Sequence, residues 1–441
     1  MTWQPVPGHI MTRWAKDVTP EAAWPEYPRP QMVRPDWLNL NGLWQVAIAP
    51  KDALVPADYD GEILVPFPVE SALSGVKRPL LPDQRLWYRR TFVVPDAWRG
   101  RRVLLHFGAV DWEAEVRVNG QPAGSHRGGW LPFSFDITPL LRAGENELVV
   151  AVRDPTDSSW QQRGKQVLEP RTIWYTAASG IWQTVWLEPV PGAYIADLVT
   201  TPDIDAGEIR VKVRLEGAPP DAVLRIDVTD GGMPVASAVD AAADQEVRLP
   251  IPDPHLWSPE SPHLYDLTVS SGADHVTGYF GMRKFSLGRD EQDRPRLCLN
   301  NRPYFQYGPL DQGYWPDGIV TPPSEAAMCY DLELIKGLGC NMLRKHVKVE
   351  PARYYYHCDR MGLIVWQDMP NGGKEVGPVT SWLAIMFGHR RSDRCFRRAG
   401  RDDPASRAQY RAELAGLVDH LRSCTCIGMW VPFNEGWGQF E

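Results

Sequence analysis

The alternation of apolar and polar residues divides the chain before any single residue is considered. From residue 37 to 190, short segments with a period of two follow one another, separated by turns such as Asn119-Gly120. From residue 193 to 287 the alternation continues with fewer tryptophans and predicts about seven strands. Neither stretch has a convincing helical period. The pattern predicts a jelly-roll β-sandwich over residues 1–190 and an immunoglobulin-like β-sandwich over residues 191–288.

After residue 289 the pattern changes to alternating strands and helices. Helices are predicted after Ser324, from Pro351 and from Pro404, and they separate four apolar strands at 304–308, 341–347, 363–370 and 427–435. Such alternation indicates a parallel sheet, and a β/α barrel would close it with eight strands. Residues 289–441 are therefore expected to be the N-terminal half of a TIM barrel, and the chain is expected to be a fragment. Residues 371–401, rich in glycine and arginine, are left unassigned.

Composition narrows the class of partner. The chain is 43% hydrophobic and 23% charged with a net charge of -8, which is ordinary for a globular protein and argues against nucleic acid or an anionic membrane. It has no run of 18 apolar residues and no apolar signal region near its first residue. A cytoplasmic location is expected, with export left open.

The high tryptophan content has two possible interpretations. Indole rings stack on sugar faces, but 19 tryptophans also suit the cores of sandwiches. Trp112 and Trp130 are predicted in exposed turns of the first sandwich, where a structural role is favoured over sugar binding. The second sandwich shows no convergent polar cluster in its sequence, so we expect it to act as a spacer between the other two domains.

The cysteines indicate neither a disulfide framework nor a metal site. All seven lie in the last third of the chain, and an odd number without paired spacing predicts buried free thiols. Cys424 and Cys426 lack the two-residue gap of a zinc knuckle. No cofactor and no metal ligand are predicted.

The strongest candidate chemistry lies at the end of the last predicted strand. Its apolar residues lead directly into Asn434 and Glu435, followed by Gly436-Trp437-Gly438. In a β/α barrel, side chains at the carboxyl ends of strands perform catalysis. An ordinary turn with a solvated glutamate is the alternative at this point.

Six segments, taken in order, resemble glycoside hydrolase family 2, the family of β-galactosidases, β-glucuronidases and β-mannosidases. They are LNGLW (40–44), WYRR (87–90), SGIWQTVW (179–186), YFGMR (279–283), NMLR (341–344) and NE (434–435). The resemblance implies a retaining exo-β-glycosidase in which Glu435 is the general acid/base and Asn434 holds the sugar 2-hydroxyl. Retention needs a second carboxylate about 5–5.5 Å away as the nucleophile. The family places it on barrel strand seven, and neither Asp368 nor Glu350 matches its motif, so this chain alone is not expected to turn over substrate.

The resemblance also implies substrate contacts at the strand ends. The predicted contacts besides Asn434 are Arg344, His346, Asp368, Asp311, Trp315 and Trp437. For Arg344 and His346 the alternative is structural pairing within the barrel, and for Asp368 it is support of another side chain. Residues 345–346 and the loop at 308–318 depart from the patterns common among relatives, so the sugar is not assigned.

Two other functions stay open. The first sandwich alone could act as a non-catalytic carbohydrate-binding module, or half-barrels could pair in a homo-oligomer to complete a site. Binding of a divalent ion near the site, as in the family, is also left open, although the sequence shows no set of ligands for it.

Overall fold

The N-terminal part of the chain folds into two antiparallel sheets that enclose one apolar core. The computed structural model describes residues 3–7, 10–374 and 394–440. The strands are β1 (Leu38–Asn39), β2 (Gly42–Pro50), β3 (Gly61–Val65), β4 (Gln84–Val93), β5 (Arg102–Phe107), β6 (Val110–Asp111), β7 (Glu113–Val118), β8 (Gln121–Arg127), β9 (Phe133–Asp136), β10 (Glu145–Arg153), β11 (Gln166–Val167), β12 (Tyr175–Thr176), β13 (Gly180–Ile181) and β14 (Val185–Val190). The sheets have the orders β1-β14-β5-β9 and β3-β2-β4-β10-β7-β8.

The hairpin of β7 and β8 shows how the alternation builds this sandwich. Val116 and Val118 are buried, while Arg117 between them is half-buried. Asn119 and Gly120 both have positive φ, 52° and 77°, as the tight turn between two twisted strands requires. The predicted hairpin is therefore confirmed.

The prediction that Trp112 and Trp130 lie in exposed turns is wrong. Their exposed fractions are 3% and 2%. Trp130 Nε1 donates a hydrogen bond to Gln162 O at 2.6 Å, and the Trp130 ring packs against Trp182. These rings belong to the interior because each is covered by neighbouring segments, so the structure gives them a packing role.

The second sandwich contains seven strands. They are β15 (Tyr194–Asp203), β16 (Glu208–Glu216), β17 (Val223–Asp230), β18 (Met233–Ala242), β19 (Glu246–Pro250), β20 (Tyr265–Ser271) and β21 (Asp274–Phe280). They form sheets of order β15-β16-β19 and β18-β17-β20-β21 around a separate apolar core.

The alternation that predicts the second sandwich runs to residue 287, but the sandwich ends earlier. Strand β21 ends at Phe280, and β22 (Phe285–Arg289) begins a different sheet with β23 (Pro295–Leu299) and β24 (Arg302–Pro303). Gly281 lies between them and donates its N–H to Thr425 Oγ1 at 2.9 Å. A Cβ added at Gly281 would lie 2.4 Å from Thr425 Cγ2, so the chain leaves the sandwich here to pass the last part of the protein closely.

The last part is a parallel sheet with helices. Its elements are β25 (Leu310–Asp311), α1 (Glu325–Gly337), β26 (Met342–Lys345), α2 (Ala352–Met361), β27 (Ile364–Asp368), α3 (Pro404–Leu421) and β28 (Ile427–Val431), and the strand order is β25-β26-β27-β28. Ser324 caps α1 by accepting a hydrogen bond from Ala327 N, and Asp403 caps α3 in the same way. Gly362, with φ 71°, ends α2. These three helices lie where the sequence predicted them, and the last three strands lie within the predicted segments, although β28 ends at Val431, short of the predicted residue 435.

The predicted strand at 304–308 is not formed, because the first parallel strand begins only at Leu310. Gly308 passes so close to β26 that an added Cβ would lie 1.6 Å from Met342 O. Pro309 next to it has no N–H for a ladder, although its carbonyl accepts a hydrogen bond from Arg344 N. This edge of the sheet is therefore reduced to two residues.

The three parts share contacts through buried tryptophans. Thr321 Oγ1 donates to the carbonyl of Trp182 at 2.7 Å, joining the first sandwich to the α/β part. Trp257 Nε1 donates to Asp359 O at 2.7 Å, joining the second sandwich to helix α2. Such contacts fix the position of the strand ends relative to both sandwiches.

The cysteines were predicted to be buried free thiols. All seven are free, and five of them are buried. No helix in the described part is long and apolar enough to span a bilayer. Most of the unassigned stretch at 371–401 lies outside the described residues.

Candidate functional site

The carboxyl ends of four parallel strands meet at one edge of the α/β sheet. Asp311 is in register with Lys345, Lys345 with Gln367, and Asp368 with Val431. Residues that end or follow these strands are therefore neighbours in space although they are far apart in the chain.

The centre of this edge is a network around Arg344. Its guanidinium donates two hydrogen bonds to Asp368, with distances of 2.8 Å from Nε and 2.9 Å from Nη2, and Nη2 also reaches Asn434 Oδ1 at 2.9 Å. His346 Nδ1 lies 3.1 Å from Asp368 Oδ2. Asp368 is fully buried, whereas the Arg344 side chain is 28% exposed. Both Asp368 oxygens are thus engaged, which favours the supporting role for this residue.

Asn434 and Glu435 lie in a single turn of 3-10 helix that begins three residues after the last residue of β28. Asn434 is buried, and its N–H donates to Asn371 Oδ1 at 3.1 Å. Glu435 is exposed and has φ 51° and ψ 23°, a left-handed conformation that costs a residue with a Cβ about 1 kcal/mol. The turn holds the amide inside and turns the carboxylate toward solvent. Such local strain is typical of functional positions.

Asn371 connects this turn to its surroundings. Its Nδ2 donates to Trp437 O at 2.9 Å, and its carbonyl accepts from Gly164 N at 2.8 Å. At Gly372 an added Cβ would lie 1.8 Å from Gln161 O. The segment after β27 therefore packs backbone to backbone against a loop of the first sandwich.

That loop brings aromatic and basic side chains to the strand ends. The rings of Trp174 and Trp437 meet edge to face at 5.3 Å, and the Arg163 guanidinium lies 5.6 Å from the Trp437 ring. Burial lowers the pKa of Lys165, and the negative charge of nearby Glu435 opposes this shift. The loop thus forms one wall beside Glu435, with a cation close to the carboxylate.

Asp311 belongs to a second charged group at the same edge. Its Oδ2 accepts hydrogen bonds from Lys345 Nζ at 2.7 Å and from the Tyr354 hydroxyl at 2.6 Å. Burial raises the pKa of Asp311, but the adjacent Lys345 ammonium outweighs this and the net pKa lies below its ordinary value. Lys345 also reaches Glu350 Oε1 at 2.8 Å, and Lys348 reaches the same oxygen at 2.7 Å. For Lys348, burial lowers the pKa to about 8. Asp311 is therefore part of an ion-paired support at the end of β25.

The structure brings most of the predicted residues together. Arg344, His346, Asp368 and Asn434 form one network, and Glu435 follows directly. Trp315 instead meets Trp14 edge to face at 6.2 Å and pairs through its backbone with Ile319. Its contacts point to packing.

Sequence reasoning missed the residues that reach this edge from other segments. They are Arg163, Lys165, Trp174, Asn371 and Gly372. The Asn371-Gly372-Gly373 triplet was a usable signal, since paired glycines after a strand indicate a close backbone approach. The loop of the first sandwich carried no comparable local signal.

Profiles of one family match the two sandwiches. Residues 65–191 match "Glycosyl hydrolases family 2, sugar binding domain", and residues 193–283 match "Glycosyl hydrolases family 2". Both matches lie outside the α/β part.

Curated relatives extend the similarity beyond the sandwiches. A β-galactosidase of Vibrio cholerae is 27% identical over 445 residues, which cover 90% of this chain and 40% of that protein. A β-galactosidase of Thermoanaerobacter pseudethanolicus is 26% identical over 313 residues, covering 66% of this chain and 40% of the relative. The chain therefore spans well under two thirds of the length of these relatives.

Solved structures show the same fold. A β-glucuronidase of Lactobacillus rhamnosus has a TM-score of 0.73 at 22% identity, with 92% of this chain and 68% of that chain covered. A β-glucuronidase of Faecalibacterium prausnitzii has a TM-score of 0.71 at 24% identity, with 93% and 69% covered. At such identities the likeness concerns the fold alone.

Proposed function

Since the chain belongs to glycoside hydrolase family 2, we propose that it carries the acid/base half of a retaining exo-β-glycosidase site. The reaction is hydrolysis of a terminal sugar from a β-glycoside. Curated relatives are β-galactosidases and β-glucuronidases, and these two sugars are the first candidates.

The observation that carries the proposal is the contrast between Asn434 and Glu435. Asn434 is buried and held by Arg344, while the next residue presents its carboxylate to solvent at the end of a parallel strand. An acid catalyst must reach the glycosidic oxygen from a fixed backbone, and the residues around it must be rigid. In this role Glu435 protonates the leaving oxygen and later removes a proton from water.

Neighbouring side chains have separate parts in this proposal. Arg344 and His346 bind the sugar at the end of β26, and Asp368 holds both in position. Trp437, packed against Trp174, forms the apolar wall. Lys165 provides positive charge next to Glu435. Asn434 keeps the 2-hydroxyl contact that the family resemblance implies.

The nucleophile half of the site is proposed to come from elsewhere than the described strands. Three carboxylates at this edge are ion-paired: Asp368 with Arg344 and His346, Glu350 with two lysines, and Asp311 with Lys345. Asp368 and Glu350 are also buried, with exposed fractions of 0% and 3%, so neither carboxylate is open to a sugar at this edge. The parallel order β25-β26-β27-β28 supports the related proposal that this sheet is the first half of a TIM barrel.

Sugar binding and turnover by the 441-residue chain test the proposal. Saturation-transfer NMR with phenyl β-galactoside and phenyl β-glucuronide is expected to detect one of them, with no release of phenol. Asn434→Ala should weaken binding about tenfold, as the loss of a hydrogen bond to a sugar hydroxyl predicts. The matched control Gln45→Ala, which removes an exposed amide from the first sandwich, should leave binding unchanged.

Two results would contradict the proposal. Hydrolysis with retention by this chain alone would mean that a nucleophile is present. Binding that Asn434→Ala does not alter would place the sugar elsewhere and favour the non-catalytic carbohydrate-binding alternative.

A further inference from the structure

Three metal-ligating side chains converge in the second sandwich, and none of them belongs to the site at the strand ends. Asp230, His255 and His263 each offer one ligand atom, and these atoms lie within 4.8 Å of one another. The second sandwich was expected to lack a convergent polar cluster, and these three residues show that this is wrong. We propose that this group binds a divalent transition-metal ion, represented here by Zn²⁺.

The donor atoms are close to the spacing that a metal requires. His255 Nδ1 lies 3.3 Å from Asp230 Oδ2, and His263 Nε2 lies 3.2 Å from Asp230 Oδ1. Zinc with bonds of about 2.0–2.2 Å to nitrogen and oxygen in a tetrahedron separates its ligand atoms by about 3.3–3.5 Å. The two distances end at different oxygens of the Asp230 carboxylate, so each histidine already matches one oxygen. Binding through a single oxygen requires a small adjustment of donor atoms that lie within 4.8 Å of one another.

The lone pairs are available for a ligand. His263 Nε2 is buried and makes no hydrogen bond, although it faces the Asp230 carboxylate. A buried imidazole nitrogen left in this way is costly unless a further group binds it. The side chain of His255 is 67% exposed, which gives an ion a path from solvent.

The surrounding fold holds all three residues in place. Asp230 ends β17 at a two-residue hairpin, where Gly231 and Gly232 have φ 54° and 82°. The buried Tyr265 accepts a hydrogen bond from His255 N at 2.8 Å, and its ring meets the ring of His263 at 4.9 Å. Both histidines lie in the irregular segment 251–264, so the contacts with Tyr265 orient them, while the strand end holds Asp230.

The chemistry of the donors selects the class of metal. Two imidazoles and one carboxylate suit Zn²⁺, Ni²⁺ or Cu²⁺, whereas Ca²⁺ and Mg²⁺ prefer oxygen ligands alone. Three protein ligands leave one tetrahedral position for water. The group is thus suited to hold a dication at the surface.

A bound ion would link Asp230 to a segment that contacts the α/β part. Residues 251–264 join β19 to β20 and carry both histidines. Between them, Trp257 donates to Asp359 O at 2.7 Å, and Pro259 O accepts from Lys336 Nζ at 2.5 Å. Tying this segment to Asp230 would stiffen the junction of the second sandwich with helices α1 and α2. The site is therefore proposed as a structural clamp that is independent of the glycosidase proposal.

Calorimetric titration of the metal-stripped 441-residue chain with Zn²⁺ tests the site. His263→Ala should weaken the site at least about 100-fold, since even the loss of a residue that only orients a ligand costs about 10–100-fold. His255→Ala, which alters a mostly exposed side chain and so preserves the fold, should weaken it similarly. The matched control His275→Ala removes an exposed histidine from β21 and should leave the affinity unchanged.

Two further readouts separate this site from adventitious binding to cysteine. Zn²⁺ should raise the unfolding temperature of the wild type and of His275→Ala, but not of His255→Ala. The Co²⁺ form should show visible d–d bands without the near-ultraviolet band of a thiolate ligand. Absence of Zn²⁺ binding, or binding that both His255→Ala and His263→Ala leave unchanged, would overturn the proposal.

Discussion

Arg344 Nη2 lies 2.9 Å from Asp368 Oδ2 and 2.9 Å from Asn434 Oδ1, so one guanidinium joins the ends of three neighbouring strands. A planar fork with five donors can serve a carboxylate and an amide together, which a lysine ammonium cannot do in the same geometry. The position of Asn434, and with it that of Glu435, therefore depends on an ion pair at the end of β26.

Replacement of Arg344 by alanine is expected to destabilise the fold. It leaves the buried Asp368 carboxylate without its main partner, and removal of one member of a buried pair costs about 3–5 kcal/mol. Arg344→Lys keeps the charge but loses the fork, so its effect should be smaller. Urea unfolding measures both free energies.

The control for this prediction is Arg99→Ala. Arg99 pairs with Asp96 at the surface, where their side chains are 86% and 99% exposed. The loss of such a pair costs at most about 1 kcal/mol. Equal destabilisation by Arg344→Ala and Arg99→Ala would contradict the importance of the network.

Gly372→Ala tests the close packing of the first sandwich against the strand ends. The new Cβ would lie 1.8 Å from Gln161 O, so one backbone must move, at a cost of about 1–3 kcal/mol. Thermal unfolding should show the loss. Gly337→Ala at the end of α1 is the matched control, because an added Cβ there meets nothing within 4 Å. A Gly372→Ala protein as stable as Gly337→Ala would mean that the two segments do not touch.

Glu435→Gly is expected to raise stability while it removes the proposed acid. Residue 435 has φ 51°, and glycine adopts this conformation without the steric cost of a Cβ, so a gain of about 0.5–1 kcal/mol is expected. Glu435→Ala retains the Cβ and should show no such gain. If the two variants are equally stable in denaturant titrations, the turn is not strained.

The pH dependence of stability should contain a contribution from Glu413. Burial raises its pKa to about 7, against hydrogen bonds from Gln409 and Gln162 and the charge of Arg401, which lower it. The folded protein therefore keeps a proton that the unfolded chain loses near its ordinary value of 4.5. The contribution to stability is full below pH 4.5 and is lost as the pH rises through 7, on the order of 3 kcal/mol in all.

Glu413→Gln should remove this contribution. Relative to the wild type, its free energy of unfolding is expected to increase from pH 5 to pH 8, as measured by urea titration at each pH. Glu169→Gln, an exposed carboxylate, is the control and should follow the wild type throughout. A constant difference between Glu413→Gln and the wild type over this range would be evidence that Glu413 is ionised in the fold.

Local patterns were sufficient for most elements. Short apolar runs predict the strands β26, β27 and β28, and Ser324 and Pro404 mark the starts of helices α1 and α3. Asn434 and Glu435 could be singled out because they follow the last of these strands directly. The strand predicted at 304–308 was wrong because its composition gives no sign that Gly308 presses against Met342.

The sequence does not predict which segments, distant along the chain, lie close together in the fold. Lys165 and Trp174 stand in an irregular part of the first sandwich, and only the folded chain places them beside Glu435 and Trp437. The fully buried state of Asp368 was equally hidden, since its partners Arg344 and His346 come from the end of β26 and not from its own neighbours in the chain. Roles that follow from such partners require the structure.

The most direct test of the central claim supplies a nucleophile from solution, in place of the one proposed to come from outside the described strands. With azide present, the 441-residue chain should convert a phenyl β-glycoside to the α-glycosyl azide: azide attacks the anomeric carbon, the bond to oxygen breaks, and Glu435 protonates the departing phenolate. NMR of the product identifies its configuration. We expect slow azide-dependent turnover that falls about 100-fold or more in Glu435→Gln, within the range for loss of a general acid. Equal rates for the wild type and Glu435→Gln, or turnover without azide that yields a sugar of retained configuration, would contradict the account.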